Sequence, residues 1–129
     1  MSTLKKFEDL EIWQLARQIS LKIFKITKDI DMYRHSGIVN QVRDASGSVM
    51  DNIAEGFERE GNKEFKQYLY IAKGSNGETR SQLYRLLDQE LISKKSFDDV
   101  YNESVLLTRK IKKFIEYLKE SDLSGQKYR

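Results

Sequence analysis

Seven-residue spacing carries most of the chemistry this sequence could perform. Gln41, Ser48 and Glu55 recur at that interval along one edge of an apolar stripe, Asn52 falls within the stripe, and Ser75, Glu78 and Gln82 follow later in the chain. Residues seven apart share a helix face, so these amides, hydroxyls and carboxylates can form one polar layer between two helices. Such a layer is either a hydrogen-bond network that fixes pairing and register or the lining of a ligand or catalytic site, with Glu55 and Glu78 as paired carboxylates. Lys66, Lys73 and Arg80 repeat at the same interval, with Tyr70 and Tyr84 interleaved and Lys63 one turn before. Cations for phosphates beside rings for base stacking are what RNA or a single strand requires. Arg109, Lys110, Lys112 and Lys113 form a second basic group, either a further phosphate contact or a solvated helix face.

Other chemistries are poorly provided for. A di-metal carboxylate bundle needs Glu-x-x-His pairs from facing helices, and the chain has one histidine, His35, in an expected loop. There is no cysteine, hence no disulfide, thiolate ligand or thiol nucleophile. No glycine-rich phosphate loop is present. The sequence therefore reads as non-enzymatic, with no catalytic residue, metal site or cofactor expected.

These residues are positioned by helices. Proline is absent and 33% of residues are charged, as in a chain of long uninterrupted helices. The apolar period predicts a first helix from about Asp9 to Ile30, with Ile12, Ala16, Ile19, Ile23, Ile26 and Ile30 facing a core. A second runs from Ser36, its expected N-cap, to Arg59, with Ile38, Val42, Ala45, Val49, Ile53 and Gly56 inward. Gly61-Asn62 punctuates the chain before a third helix, Lys63 to Leu91, which buries Phe65, Leu69, Ala72, Thr79, Leu83 and Leu86. Ser96 and Asp99 have capping-box spacing at the start of a fourth, with Val100, Leu107, Ile111, Phe114, Ile115 and Leu118 aligned. The small residues Ala45, Gly47, Ser48, Gly74 and Ser75 would let the middle helices approach closely. Four amphipathic segments joined by short connections predict an all-α domain over residues 1–120, an antiparallel up-down-up-down four-helix bundle. Residues 121–129 are expected to be a polar, frayed tail.

The start of the chain is too charged for a signal peptide, and no apolar run could span a membrane, so a soluble cytoplasmic protein is expected. Net charge is +3, with 9 basic and 10 acidic groups in residues 1–61 against 14 and 10 in residues 62–129. The basic excess, and with it any anionic partner, belongs to the C-terminal half. A second apolar stripe on the first helix, Leu10, Trp13, Leu21 and Phe24, is rotated roughly 90° or more from the core stripe. Either it serves a wide contact within the bundle or it is a homo-oligomer interface anchored by Trp13.

The stretches Gln41-Val42-Arg43-Asp44-Ala45, Asn52-Ile53-Ala54-Glu55-Gly56 and Ile71-Ala72-Lys73-Gly74-Ser75 with Glu78-Thr79, preceded by Phe7-Glu8-Asp9-Leu10 and Trp13, carry a resemblance. From about Phe7 to Leu118 the chain resembles the four-helix bundle family encoded in intervening sequences of bacterial 23S rRNA genes, often called S23 ribosomal proteins. The resemblance implies a homopentameric ring and kinship with the accessory protein of diversity-generating retroelements, a basic pentamer that associates with a reverse transcriptase and nucleic acid. It also implies a proline between the first two helices, where this chain has Asp29-Ile30-Asp31-Met32. The function expected is association with structured RNA or DNA by an oligomeric bundle; the alternative is a scaffold module that binds a protein partner and no nucleic acid.

Overall fold

The first turn of the chain is built around one carboxylate. Asp9 Oδ2 accepts hydrogen bonds from the backbone amides of Lys5 and Lys6 (3.2 and 3.3 Å) and closes a single 3-10 turn at Phe7–Asp9. Leu10 follows in an extended conformation, and helix α1 spans Glu11–Thr27. The computed structural model describes residues 4–123, in which three further helices follow: α2, Met32–Glu58; α3, Asn62–Asp88; and α4, Lys94–Leu123. Among the described residues there is no strand.

Contact pairs give the directions of the helices. From Arg85 with Gln41, through Ser75 with Ser48, to Tyr68 with Glu55, α3 descends as α2 ascends. Tyr84 with Phe97, Asn76 with Thr108 and Phe65 with Phe114 give the same relation between α3 and α4. Glu11 with Lys110 and Lys22 with Asp99 give it between α1 and α4. Each helix packs on its sequence neighbours, α1 also packs on α4, and the pairs α1/α3 and α2/α4 lie on the diagonals. The fold is the expected all-α four-helix bundle, up-down-up-down.

The core stripes are in register with the apolar period. Ile12, Ala16, Ile19 and Ile23 from α1, the six expected residues of α2, the six of α3, and Val100, Leu107, Ile111, Ile115 and Leu118 from α4 are buried. Ile26, Ile30 and Phe114 are only half-buried. Thr27 closes α1 instead, because its hydroxyl donates to the Ile23 carbonyl (2.7 Å) and accepts from Arg43 Nε (3.1 Å), which satisfies a polar group inside the core.

Helix ends differ from expectation where side chains compete for caps. Asp31 caps α2 by accepting from Tyr33 N (3.0 Å), so the helix starts at Met32 rather than after Ser36. A break at His35 (φ −128°, ψ 20°) then separates this first turn from the regular helix. Asp31 stands in the segment where the family resemblance implies proline, and it supplies the helix start another way. At α4 the cap is Ser93, whose Oγ accepts from Ser96 N (3.1 Å). Asp99, expected to complete a box with Ser96, pairs with Lys22 of α1. Helix α4 continues through Leu123 with Ser121 buried. Residues 124–129 of the expected tail lie outside the described residues.

Candidate nucleic-acid interface

The two polar patterns separate onto two seams of the bundle. On the α2–α3 seam, Asn52 Nδ2 donates to the Ser48 carbonyl (2.8 Å) and to Ser48 Oγ (2.9 Å), and Ser48 Oγ meets Ser75 Oγ at 3.2 Å. Arg85 Nη1 donates to Gln41 Oε1 (3.0 Å), and Gln82 Nε2 reaches Glu78 Oε2 (3.4 Å). Glu55 accepts from Arg59 Nη2 (2.9 Å) and the Tyr68 hydroxyl (3.1 Å). The seam is thus a ladder of separate bonded groups rather than one cluster. Glu55 is engaged beside Tyr68, ten residues from Glu78 on α3, or about 15 Å along the axis, so the two carboxylates do not form the paired site that acid–base chemistry would need.

The hydrogen bonds from Arg59 and then Tyr68 hold the Glu55 carboxyl below the usual carboxylate range. A depressed folded-state pKa contributes stability that is present above the unfolded value and lost as pH falls through the folded one. In an NMR pH titration the Glu55 side chain should protonate below the usual carboxylate range. In Arg59→Ala it should move back up toward that range, and no movement would mean that the contact is absent in solution.

Of the basic heptad, Arg80 turns into the α3–α4 seam rather than onto the outer face expected for it, and Lys66 and Lys73 are half-buried. Arg80 Nη1 donates to Thr108 Oγ1 (2.8 Å), Ser104 Oγ (3.1 Å) and the Ser104 carbonyl (3.5 Å). Asn76, wholly buried, donates to the Ser104 carbonyl and Thr108 Oγ1 and accepts from Ser104 Oγ (2.8 Å). All the partners of the Arg80 guanidinium are neutral, and Arg80 forms no ion pair among the described residues. The charge is held in place without being cancelled, which suits a guanidinium that presents its other edge to an anion.

Other expected contacts sort by what already occupies them. Lys110 is bridged to Glu11 (3.0 Å). Tyr84 packs on Phe97 (centroids 4.9 Å apart) and Tyr101, and its hydrogen bond to Tyr101 raises its pKa. Tyr70 is half-exposed, with Lys119 Nζ 6.0 Å from its ring centroid. Lys66 is half-buried. Lys63, Lys73, Arg109, Lys112 and Lys113 form no ion pair among the described residues, and the antiparallel register brings Lys73 to the level of Arg109 and Lys112. Sequence reasoning missed Asn76, Ser104 and Thr108, although the first two sit at core positions of their stripes and are polar.

The second stripe of α1 is divided. Leu10 was placed on it by extending the helical period, but it precedes the helix in extended backbone and is buried in the core. Trp13 is half-buried on Phe7 (5.1 Å, edge-on), with the Arg17 guanidinium over its ring. Leu21 and Phe24 are 52% and 49% exposed, Phe24 under the Arg43 guanidinium.

Among the described residues no group of acidic or histidine side chains could hold a metal, and no helix is long and apolar enough to cross a membrane. The family model described as 23S rRNA-intervening sequence protein matches residues 8–113. A solved structure with the same fold is a protein of unknown function from the S23 ribosomal protein family of Bacteroides thetaiotaomicron. It has a TM-score of 0.75 and 19% identity, covering 81% of this chain and 95% of that one. No curated protein matches.

Proposed function

The chain belongs to the 23S rRNA-intervening sequence protein family, and from that premise we propose that it is a non-enzymatic, self-associating bundle that holds structured RNA or another nucleic acid on its α3–α4 face. The observation that carries this reading is the Arg80 guanidinium, fixed by hydroxyls and a carbonyl with no carboxylate beside it. Around it, Lys73, Arg109 and Lys112 add charge that no acidic side chain neutralises among the described residues, and Tyr70 adds a half-exposed ring. A fixed fork, mobile lysines and an aromatic surface are the components of phosphate contact with base stacking.

Self-association rests on the exposed Leu21 and Phe24, with five subunits expected from the family resemblance. Repetition of one weak face around an assembly multiplies effective concentration, so a modest charge excess on each chain can still hold a long ligand. The same apolar face favours the scaffold reading if its occupant is a different protein.

Salt separates the two. Displaced counterions make phosphate binding fall steeply with ionic strength, so affinity for a labelled structured RNA should drop roughly a hundredfold or more between about 50 and 200 mM salt. Fluorescence anisotropy measures this directly. Absence of binding at the lower salt, to RNA and DNA alike, rejects the nucleic-acid reading and leaves the scaffold.

A further inference from the structure

The exposed Leu21 and Phe24 share their side of the bundle with a guanidinium that is fixed and unpaired. Arg43 Nε donates to the Thr27 hydroxyl (3.1 Å), and Arg43 Cζ lies 4.9 Å from the centroid of the Phe24 ring. One hydrogen bond and one stacked face hold the plane of the group. Its Nη1 and Nη2 have no partner among the described residues, and neither is buried. The end of the fork that grips a carboxylate through two parallel hydrogen bonds is therefore open, beside apolar side chains. Arg17, over the Trp13 ring and seven residues before Phe24, is a second stacked guanidinium on the same face of α1. Neither arginine forms an ion pair among the described residues, and residues 12–28 contain no aspartate or glutamate. A phosphate could meet the cations, but Leu21 and Phe24 call for a partner that is apolar as well as acidic.

The next side of the same bundle has that character. On the α2–α3 seam, Asp44 and Asp51 lie seven residues apart on one face of α2, and Ile71 and Glu78 seven apart on one face of α3. Ile71 is 52% exposed, and none of the three carboxylates forms an ion pair among the described residues. Asp44 and Glu78 line an open groove of about 420 Å3 with Ser48 and Ser75, and Ile71 is one turn of α3 from Ser75. The cations of this seam, Arg59 and Arg85, are already engaged by Glu55 and Gln41. The two sides are thus complementary in charge and in apolar surface. We propose that they meet between copies of this chain, head to tail: the α1–α2 face of one copy seats on the α2–α3 seam of the next, with Arg43 among the Asp44, Asp51 and Glu78 carboxylates and Phe24 and Leu21 against Ile71. This pairing rests on the self-association proposed above and supplies its second surface. It is a heterologous contact, and its two faces are neighbouring sides of the bundle that share α2. Each added copy therefore turns about an axis, and the assembly ends by closing into a ring.

Complementation between two single-face variants tests this. Phe24→Glu disables one face, and Ile71→Lys with Glu78→Lys disables the other, all at exposed positions outside the core. Each variant alone should sediment as a monomer. Mixed one to one, the two should form a dimer of twice the 15.2 kDa chain mass and nothing larger, because only one intact pair of faces remains between them. In the parent, Arg43→Gln should weaken assembly about tenfold or more. That loss should nearly vanish in a chain already carrying Asp44→Asn, Asp51→Asn and Glu78→Gln, since the partners of Arg43 are then gone. An oligomeric parent whose mass ignores the Ile71 and Glu78 changes would overturn the head-to-tail pairing alone. So would a mixture that stays monomeric up to about 1 mM, a range that covers even a weak single contact, or an Arg43→Gln loss that adds in full to that of the three amides. A monomeric parent would overturn the self-association as well, and would leave both faces to a different protein.

Discussion

Replacing Gly56 by alanine is expected to destabilise the protein, although alanine is the better helix former by about 1 kcal/mol. A Cβ built at Gly56 falls 2.6 Å from Tyr68 Cβ and 3.0 Å from Phe65 Cδ1. Tyr68 Cβ is fixed to the α3 backbone, so no rotamer change relieves the contact and the two helices must separate. Overpacking of this kind costs about 1–3 kcal/mol, and a clash with a backbone-fixed atom should lie at the upper end, lowering Tm by roughly 10 °C. Gly47→Ala and Gly74→Ala are the controls, because an added Cβ meets nothing within 4 Å at either position. They should leave thermal stability unchanged or raise it. Equal behaviour of all three in a melting experiment would refute the close approach at Gly56.

Phe24→Glu, alone or with Leu21→Glu, is expected to convert an assembly into folded helical monomers. Both side chains are about half-exposed on one chain, and a carboxylate placed at the centre of an apolar contact is desolvated without a partner. Sedimentation should give a mass well above 15.2 kDa for the parent and a single-chain mass for the variant, with the helical circular dichroism retained. A variant that keeps the parent's mass would move the interface to another face. Trp13, the anchor expected from sequence, is a poorer probe because its contact with Phe7 makes it part of the chain's own packing.

These two positions also mark what sequence patterns can and cannot convey. Core stripes were legible because burial follows a 100° period that the backbone enforces, and nearly every expected core residue is buried. Leu10 failed because the period was carried past the real start of the helix, where Asp9 folds the chain into a 3-10 turn. Gly56 was read as a core position, while close approach was assigned to Gly47 and Gly74. Period identifies the face a residue occupies, but the distance across a helix crossing depends on where the opposing side chain stands. The polar heptad of α2 and α3 was found for the same reason as the core, whereas its division into separate bonded groups depends on partners outside the pattern, such as Arg59 one turn on and Tyr68 across on α3. Arg80 was read as outward because its spacing matches Lys66 and Lys73. Its actual direction is set by Asn76, Ser104 and Thr108, polar residues at or beside core positions that call for a bonded partner between α3 and α4.

The claim that the α3–α4 face, and not net charge, holds nucleic acid is tested most directly by two variants of equal charge. Lys73→Gln with Lys112→Gln removes two cations from that face. Lys25→Gln with Lys28→Gln removes two exposed cations at the end of α1. Each lost phosphate contact reduces both affinity and salt slope, so at about 50 mM salt the first pair should weaken binding of a structured RNA by roughly tenfold or more, while the second leaves it within twofold or so. Equal loss in the two variants, or none in the first, would contradict the account.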